Sequence, residues 1–279
     1  MRAPAITIVT VVRNDADGLA KTAKSILNET SQDIEWLIVD GYSTDGTREL
    51  SEDLVRNGAR WIQRSPKGIY DAMNTGIHSA RGDWVWFINA GDRLLSHLSI
   101  DSALQAVKVF SQHELIASPV IYETSHGLYF SVAGAHVDPS ASPRNSRLHH
   151  QGAVMKREML IDLGGFRTDL RWTADGELLD RIVRRGHSTQ IHTPLVAFEM
   201  GGASSKYLVS VLRETNTFRP GFYGVQDFLT IPIKNQLIRL LLDAERTNLG
   251  RKVVEPLLGS RNRRIRDYIN AIDGNHGTG

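Results

Sequence analysis

Four places in the chain have the residue types to handle a phosphorylated ligand: Arg13-Asn14-Asp15, Asp40, Gln63 to Lys67, and Asn89-Ala90-Gly91-Asp92. Each follows a short apolar run that reads as a β-strand. In an open α/β sheet, ligands bind beyond the carboxyl ends of the strands. A single Asp at a strand end is commonly a turn or helix-cap residue; several on one edge of one sheet are harder to explain that way. The familiar phosphate cradles are absent. No G-x-G-x-x-G follows the first run and no G-x-x-x-x-G-K-[ST] occurs, which argues against dinucleotide and P-loop sites. Asp40-Gly41-Tyr42-Ser43-Thr44 has no second carboxylate two residues on, so it does not resemble a phosphatase nucleophile. A phosphate site without a glycine-rich cradle calls for a divalent cation on a carboxylate, and Asp92 stands where a strand can present one. The chain has no cysteine, so any metal is held by oxygen or imidazole.

The elements that must position these residues alternate. Ile6 to Val12 is a β-branched run expected of a strand buried on both faces. Leu19 to Leu27 has helical apolar spacing, with Asp15 or Asp17 as its cap. Ile34 to Val39 is a second strand, and Thr44 or Asp45 caps a helix running through Leu50 and Val55. Trp61-Ile62 marks a third strand, Ile69 to Ala80 a helix, and Trp84 to Ile88 a fourth strand. Strands separated by helices imply a parallel sheet with right-handed crossovers. Further on, Ile100 to Phe110 reads as a helix. Leu115 to Tyr122 and Leu128 to Val132 read as strands, antiparallel to each other. His136 to Arg147 reads as a loop, Met155 to Leu163 and Gly176 to Arg185 as helices, and Thr189 to Phe198 as a strand. From Pro232 the chain turns helical and basic.

Length and composition fit a globular α/β protein: 279 residues, 41% hydrophobic, 23% charged, net charge +2. A balance that close to neutral argues against a general nucleic-acid binder. No secretory signal and no run of the roughly 18 apolar residues a membrane helix needs are visible. The expectation is a cytoplasmic chain, attached at most to the inner face of the cell membrane.

Two segments, Ile6 to Asn14 and Trp36 to Thr47, resemble the nucleotide-binding half of family 2 glycosyltransferases with the GT-A fold. The stretch Gly68-Ile-Tyr-Asp-Ala-Met-Asn-Thr-Gly-Ile77, then Gly82-Asp83 and Phe87 to Asp92, is similar to the branch that holds the colanic acid glycosyltransferases of exopolysaccharide synthesis. His150-Gln151, Gly164-Gly165-Phe166, Ala174 to Leu178 and Met200 to Ser204 continue it in order. The resemblance covers about residues 4–206. It implies a mostly parallel central sheet flanked by helices, with a Rossmann-like nucleotide-binding half and an acceptor-binding half. The corresponding divisions are a GT-A domain over 1–206, split into 1–95 and 96–206, and a helical basic extension over 207–279.

The resemblance also implies roles. Thr10, Val12, Asn14, Asp40 and Ser43 would line the nucleoside pocket, Asp40 accepting from a base N–H. Lys67, Tyr70, Asp71 and Asn74 would approach the ribose, diphosphate or sugar. Asn89-Ala90-Gly91-Asp92 occupies the place of the family's D-x-D-type motif, but Asn89 replaces the first carboxylate, so only Asp92 remains as an anionic ligand for Mg²⁺ or Mn²⁺. Asp175 corresponds to the catalytic base, although it also stands where a helix cap would. His150 and Gln151 would wall the sugar or acceptor site, and Ser204 belongs to a segment near the diphosphate. The donor would be a UDP-, GDP- or dTDP-sugar, and the acceptor a glycan or lipid-linked saccharide in bacterial polysaccharide or glycolipid synthesis. The thinned metal motif keeps a second reading open, a catalytically inactive relative that binds nucleotide-sugar or glycan. A nucleotidyltransferase is disfavoured because Val11-Val12-Arg13-Asn14 offers no glycine-rich basic loop.

Beyond Tyr207 the resemblance fades. Ile231 to Asp243, with Lys234 and Arg239, then Arg251-Lys252 and Arg261 to Arg266, could lie on an anionic membrane surface. They equally suit a packing helix or an oligomer contact.

Overall fold

The computed structural model describes residues 3–123, 129–131, 148–199 and 207–220. Its spine is a seven-stranded sheet. The first four strands are β1 (Ile6–Val12), β2 (Glu35–Asp40), β3 (Arg60–Gln63) and β4 (Trp84–Phe87). Between them run α1 (Ala16–Leu27), α2 (Thr47–Arg56) and α3 (Ile69–Ser79). A short β5 (Arg93–Leu94) leads to α4 (Ser99–Val109), followed by β6 (Leu115–Ala117), β7 (Val120–Glu123) and β8 (Tyr129–Ser131). The second half holds β9 (Ala153–Lys156), α5 (Arg157–Asp162), α6 (Ala174–Val183), β10 (Ser188–Gln190), β11 (Val196–Glu199) and α7 (Leu208–Phe218). The large sheet has the order β10-β6-β9-β4-β1-β2-β3 and a smaller one the order β5-β11-β7-β8. The large sheet is parallel throughout except for β9, which runs antiparallel to both neighbours. The architecture is the expected α/β one, a mostly parallel sheet between helical layers.

Period-two alternation divides the core. Ile6, Ile8, Trp36, Ile38, Trp84 and Trp86 face α1 and α4, meeting Leu19, Ile26, Ile100 and Ala103. Val9, Val11, Leu37, Val39, Val85 and Phe87 face α3, α5 and α6, meeting Tyr70, Met73, Ile77, Leu160 and Leu178. Removing a sheet covered on both sides from water is the main driving force for this half. The helix α3 lies so close to β1 that a Cβ on Gly76 would sit 2.5 Å from a methyl of Val9.

Several boundaries differ from the sequence expectation. Leu115 to Tyr122 is two strands in different sheets, β6 and β7, and Thr189 to Phe198 likewise divides into β10 and β11. Pro119 and Pro194 lie in the breaks; proline brings no N–H to a ladder. Met155 belongs to β9 rather than to the helix that follows. The helix α2 has Gly46 at its cap position, while Asp45 takes the Thr47 N–H at 3.0 Å from just outside. Asp15 does cap α1, accepting from Gly18 N at 3.0 Å. β7 and β8 pair antiparallel as expected. The loop 136–147 and the basic segments from Pro232 onward lie outside the described residues. No described helix is long and apolar enough to cross a membrane.

Candidate functional site

At the strand ends of β1 and β2 the chain knits two loops together. Asn14, in the left-handed region at φ 50, donates its N–H to Ser43 Oγ at 2.8 Å. Its side-chain oxygen accepts the Thr44 N–H at 2.8 Å. Ser43 donates its hydroxyl to Asp40 Oδ1 at 2.6 Å, and its N–H reaches the same oxygen at 3.0 Å. Gln63 donates to Asp40 Oδ2 at 3.0 Å. Asp40 is therefore fully buried with both oxygens engaged, so it braces the pocket floor and presents no open carboxylate to a base. Next to it Tyr42 holds φ 56 and is 55% exposed, an uncommon conformation for a ring-bearing residue. Sequence reasoning passed over Tyr42; its aromatic type at a strand end was the available signal.

Three expected contacts move elsewhere. Thr10 and Val12 point into the α1-side core, because alternate residues of a strand share a face. Thr10 donates to Ile88 O at 2.8 Å and accepts from the Trp36 indole at 3.0 Å. Asn74 uses its whole amide on one residue, donating to Phe166 O and accepting from Phe166 N, both at 2.8 Å. That pairing holds the Phe166 ring 5.7 Å from Tyr70, near parallel, and 5.3 Å edge-on from Phe87. Lys67 and Asp71 stay at the start of α3, where Asp71 accepts the Lys67 backbone N–H at 3.0 Å and the Lys67 side chain is exposed. Ser204 lies outside the described residues.

A second cluster forms where four elements converge. The turn 89–92 leaves β4 with Gly91 at φ 93, and Thr22 of α1 staples it, donating to Asn89 O at 3.1 Å and Asp92 O at 2.6 Å. A strand, β5, follows Asp92, so this carboxylate caps no helix. A single 3-10 turn, His150–Gly152, opens β9, and Gln151 O accepts from the Trp86 indole at 2.7 Å. Asp175 sits in the first turn of α6, one residue inside Ala174, with Thr173 at the cap position.

These elements bring the side chains together as a row. Tyr70 donates its hydroxyl to Asp175 Oδ1 at 2.9 Å. His150 Nδ1 meets Asp175 Oδ2 at 3.0 Å, and His150 Nε2 lies 3.3 Å from Asn89 Nδ2, whose N–H donates when that ring nitrogen is unprotonated. Gln151 bonds to Asp92. Burial alone would raise Asp175, but the His150 hydrogen bond and charge, with the Tyr70 hydroxyl and a backbone N–H, outweigh it and hold the carboxyl down to about 2. His150 is raised: burial disfavours its charge, while Asp175 and then Asp92 favour it more strongly. Burial pushes Asp92 up to about 6 against the opposing charge of His150. Desolvation lowers His149 to about 4, so it stays neutral beside the His150–Asp175 pair. Glu177 and Asp180, the other acids of α6, are taken by Arg181 and Arg219.

The fit of a divalent cation rests on Asp92 and Asn89. No group of three or more His, Cys, Asp or Glu able to hold a metal occurs among the described residues. Asn89 Oδ1 is nevertheless buried without a hydrogen-bond partner, three residues before the desolvated Asp92. One carboxylate and one amide oxygen suit a hard cation whose other ligands come from a diphosphate and water.

The model for glycosyl transferase family 2 matches residues 7–108. A PGL/p-HBAD biosynthesis glycosyltransferase of Mycobacterium tuberculosis is 31% identical over 182 residues, covering 63% of this chain and 68% of that protein. An uncharacterised glycosyltransferase of the same species is 27% identical over 214 residues, covering 73% and 78%. Among solved structures, S. aureus TarS 1-349 in complex with UDP-GlcNAc superposes with TM-score 0.57 at 14% identity, covering 88% of this chain and 77% of that one. The Pyrobaculum calidifontis mannosyltransferase PcManGT with GDP-Man and Mn2+ gives TM-score 0.57 at 15% identity, covering 98% and 85%.

Proposed function

The chain belongs to glycosyl transferase family 2, and from that premise we propose that it is an inverting hexosyltransferase with Asp175 as general base. The donor is a nucleoside diphosphate-sugar and the acceptor a glycan or lipid-linked saccharide. The observation that carries this reading is the state of Asp175. Its carboxylate has about four lone-pair sites, filled in part by Tyr70, His150 and the Gly176 N–H. The side chain is 30% exposed, so an acceptor hydroxyl can reach the remaining sites. Because its pKa is held down, it is ionised at every physiological pH.

In the transfer, the acceptor oxygen bonds to the anomeric carbon as its proton passes to Asp175, and the bond to the diphosphate breaks from the opposite face. The nucleoside diphosphate leaves with the electron pair. Tyr70 and His150 hold the carboxylate in place, since the raised phenol stays protonated and donates. Asp92 and Asn89 would hold Mg²⁺ or Mn²⁺, which when bound offsets charge on the departing diphosphate. Asp40, Ser43 and Asn14 fix the loop geometry of the donor pocket, and Tyr42 offers a ring face to the nucleobase.

Asp175→Asn keeps size and shape but cannot take the proton. Donor affinity by calorimetry should survive while kcat falls about 10²–10⁴-fold, and NMR of the wild-type product should show inverted anomeric configuration. Retained configuration, or ordinary turnover in the variant, would overturn the mechanism. Donor binding with no transfer by the wild type would instead favour the inactive, ligand-binding relative.

A further inference from the structure

The helix α7 grips the residues that lead into α6. Its Glu214 carboxylate accepts the backbone N–H of Arg171, that of Trp172 at 2.7 Å, and the Thr173 hydroxyl at 3.2 Å. At its far end Arg219 pairs with Asp180 of α6. On the segment fixed in this way, the half-buried Trp172 ring stacks on Tyr207, with centroids 4.5 Å apart and planes 25° from parallel. The Arg171 guanidinium lies 4.9 Å from the Trp172 centroid. Tyr207 remains 51% exposed. Beside the pair runs an open groove of about 520 Å³, lined by Arg167, Arg171, Trp172, Arg213 and Glu214 among others. Arg213 is exposed and pairs with no carboxylate among the described residues.

We propose that this groove is a subsite for the acceptor saccharide, with the Trp172–Tyr207 stack as its platform. The proposal rests on the transferase reading above and deepens it. A pyranose has an apolar C–H face and a polar rim. The exposed Tyr207 ring, backed by Trp172, offers the apolar face, since Arg171 lies over the Trp172 ring itself, and the Arg213 guanidinium in the groove donates to ring hydroxyls. Position agrees with chemistry. Trp172 precedes Asp175 by three residues, a span of at most about 10 Å of extended chain, so one saccharide can touch both. The charge of Glu214 also acts on the Tyr70 hydroxyl that binds Asp175, which places the clamp within electrostatic reach of the base. Two stacked rings fixed through their backbone lose little side-chain freedom on binding, unlike a pair of free surface aromatics.

The test uses the full chain and methyl glycosides of glucose, galactose, mannose and rhamnose in both anomeric configurations, read by saturation-transfer NMR. At least one should receive saturation on the protons of one ring face. Tyr207→Ala should weaken its binding about 3–10-fold, the scale of a single aromatic stacking contact, and Tyr207→Phe should restore it. Affinity for UDP, GDP or dTDP should be unchanged in both variants, and melting temperature unchanged in Tyr207→Phe. Saturation of no glycoside, or unchanged glycoside affinity in Tyr207→Ala, would overturn the subsite. Glycoside binding that depends on Tyr207 in a wild-type chain that binds no nucleoside diphosphate would uphold the saccharide site and refute the transferase reading.

Discussion

The two ends of the candidate site are built on opposite plans. At the β1 and β2 strand ends, polar groups are satisfied by one another: Asp40 holds Ser43 and Gln63, and Asn14 holds Thr44. At the convergence of β4, β9 and α6, they are left partly open. Asn89 Oδ1 has no partner, Asp92 is desolvated, and Asp175 keeps a solvent-facing side. A buried polar atom without a partner costs about 1–3 kcal/mol, so such groups persist where a ligand completes them. The first region is finished before ligand arrives, and the second is finished by it.

Breaking the open region should have the largest effect. Asp92→Ala removes the one acidic ligand proposed for the cation, so metal-dependent donor binding should weaken at least about 100-fold, since even groups behind metal ligands cost 10–100-fold. Calorimetry with and without Mn²⁺ measures this; a full metal effect in the variant would place the cation elsewhere. In the finished region, Asp40→Ala leaves Gln63 and Ser43 without their acceptor. It should lower folding stability by about 1–3 kcal/mol and weaken nucleotide binding through a loosened loop. A denaturant midpoint equal to wild type would mean that Asp40 is not the brace.

The contrast also predicts a pH signature. The proposed cation needs Asp92 ionised, so kcat/KM of the wild type should fall as pH drops through about 6. His150 holds both Asp92 and Asp175 down, so His150→Gln should move that limb upward by about one unit. A limb that stays in place would separate His150 from the acid side. The smallest effect concerns Tyr42. Tyr42→Gly removes a side chain from the left-handed region, where non-glycine residues carry about 1–2 kcal/mol of strain, against a glycine entropy cost of about 0.5–1 kcal/mol. Stability should hold or rise slightly while nucleotide affinity falls. A parallel loss of both would make Tyr42 a packing residue.

Much of the fold was legible because the signals were local. Strands buried on both faces are unbroken β-branched runs, and α1 and α3 carry clean apolar spacing. Met155, Met159, Leu160 and Leu163 mimic a helical face, so the sequence starts the helix at Met155, inside β9; what makes Met155 and Lys156 strand is the slot between β4 and β6, fixed by partners far away in sequence. At the site, Asp92, His150 and Asp175 were visible through the resemblance. Tyr70 was visible as a residue, though its bond to Asp175 spans 105 positions. Thr10 and Asn74 were misplaced for a common reason: a polar side chain at a motif position can be spent inward, and only the fold shows which way it turns. Glu214 gave no signal, being an ordinary acid within a helix, and its three bonds reach back more than 40 residues.

The reversed direction of β9 has a bearing on how the site is anchored. Because that strand runs against β4 and β6, its first residues, and not its last, stand at the ligand edge. Ladder bonds on both sides set the register of Ala153 to Lys156, and through it the placement of His150 and Gln151. The imidazole that meets Asp175 is therefore anchored by the strand that follows it.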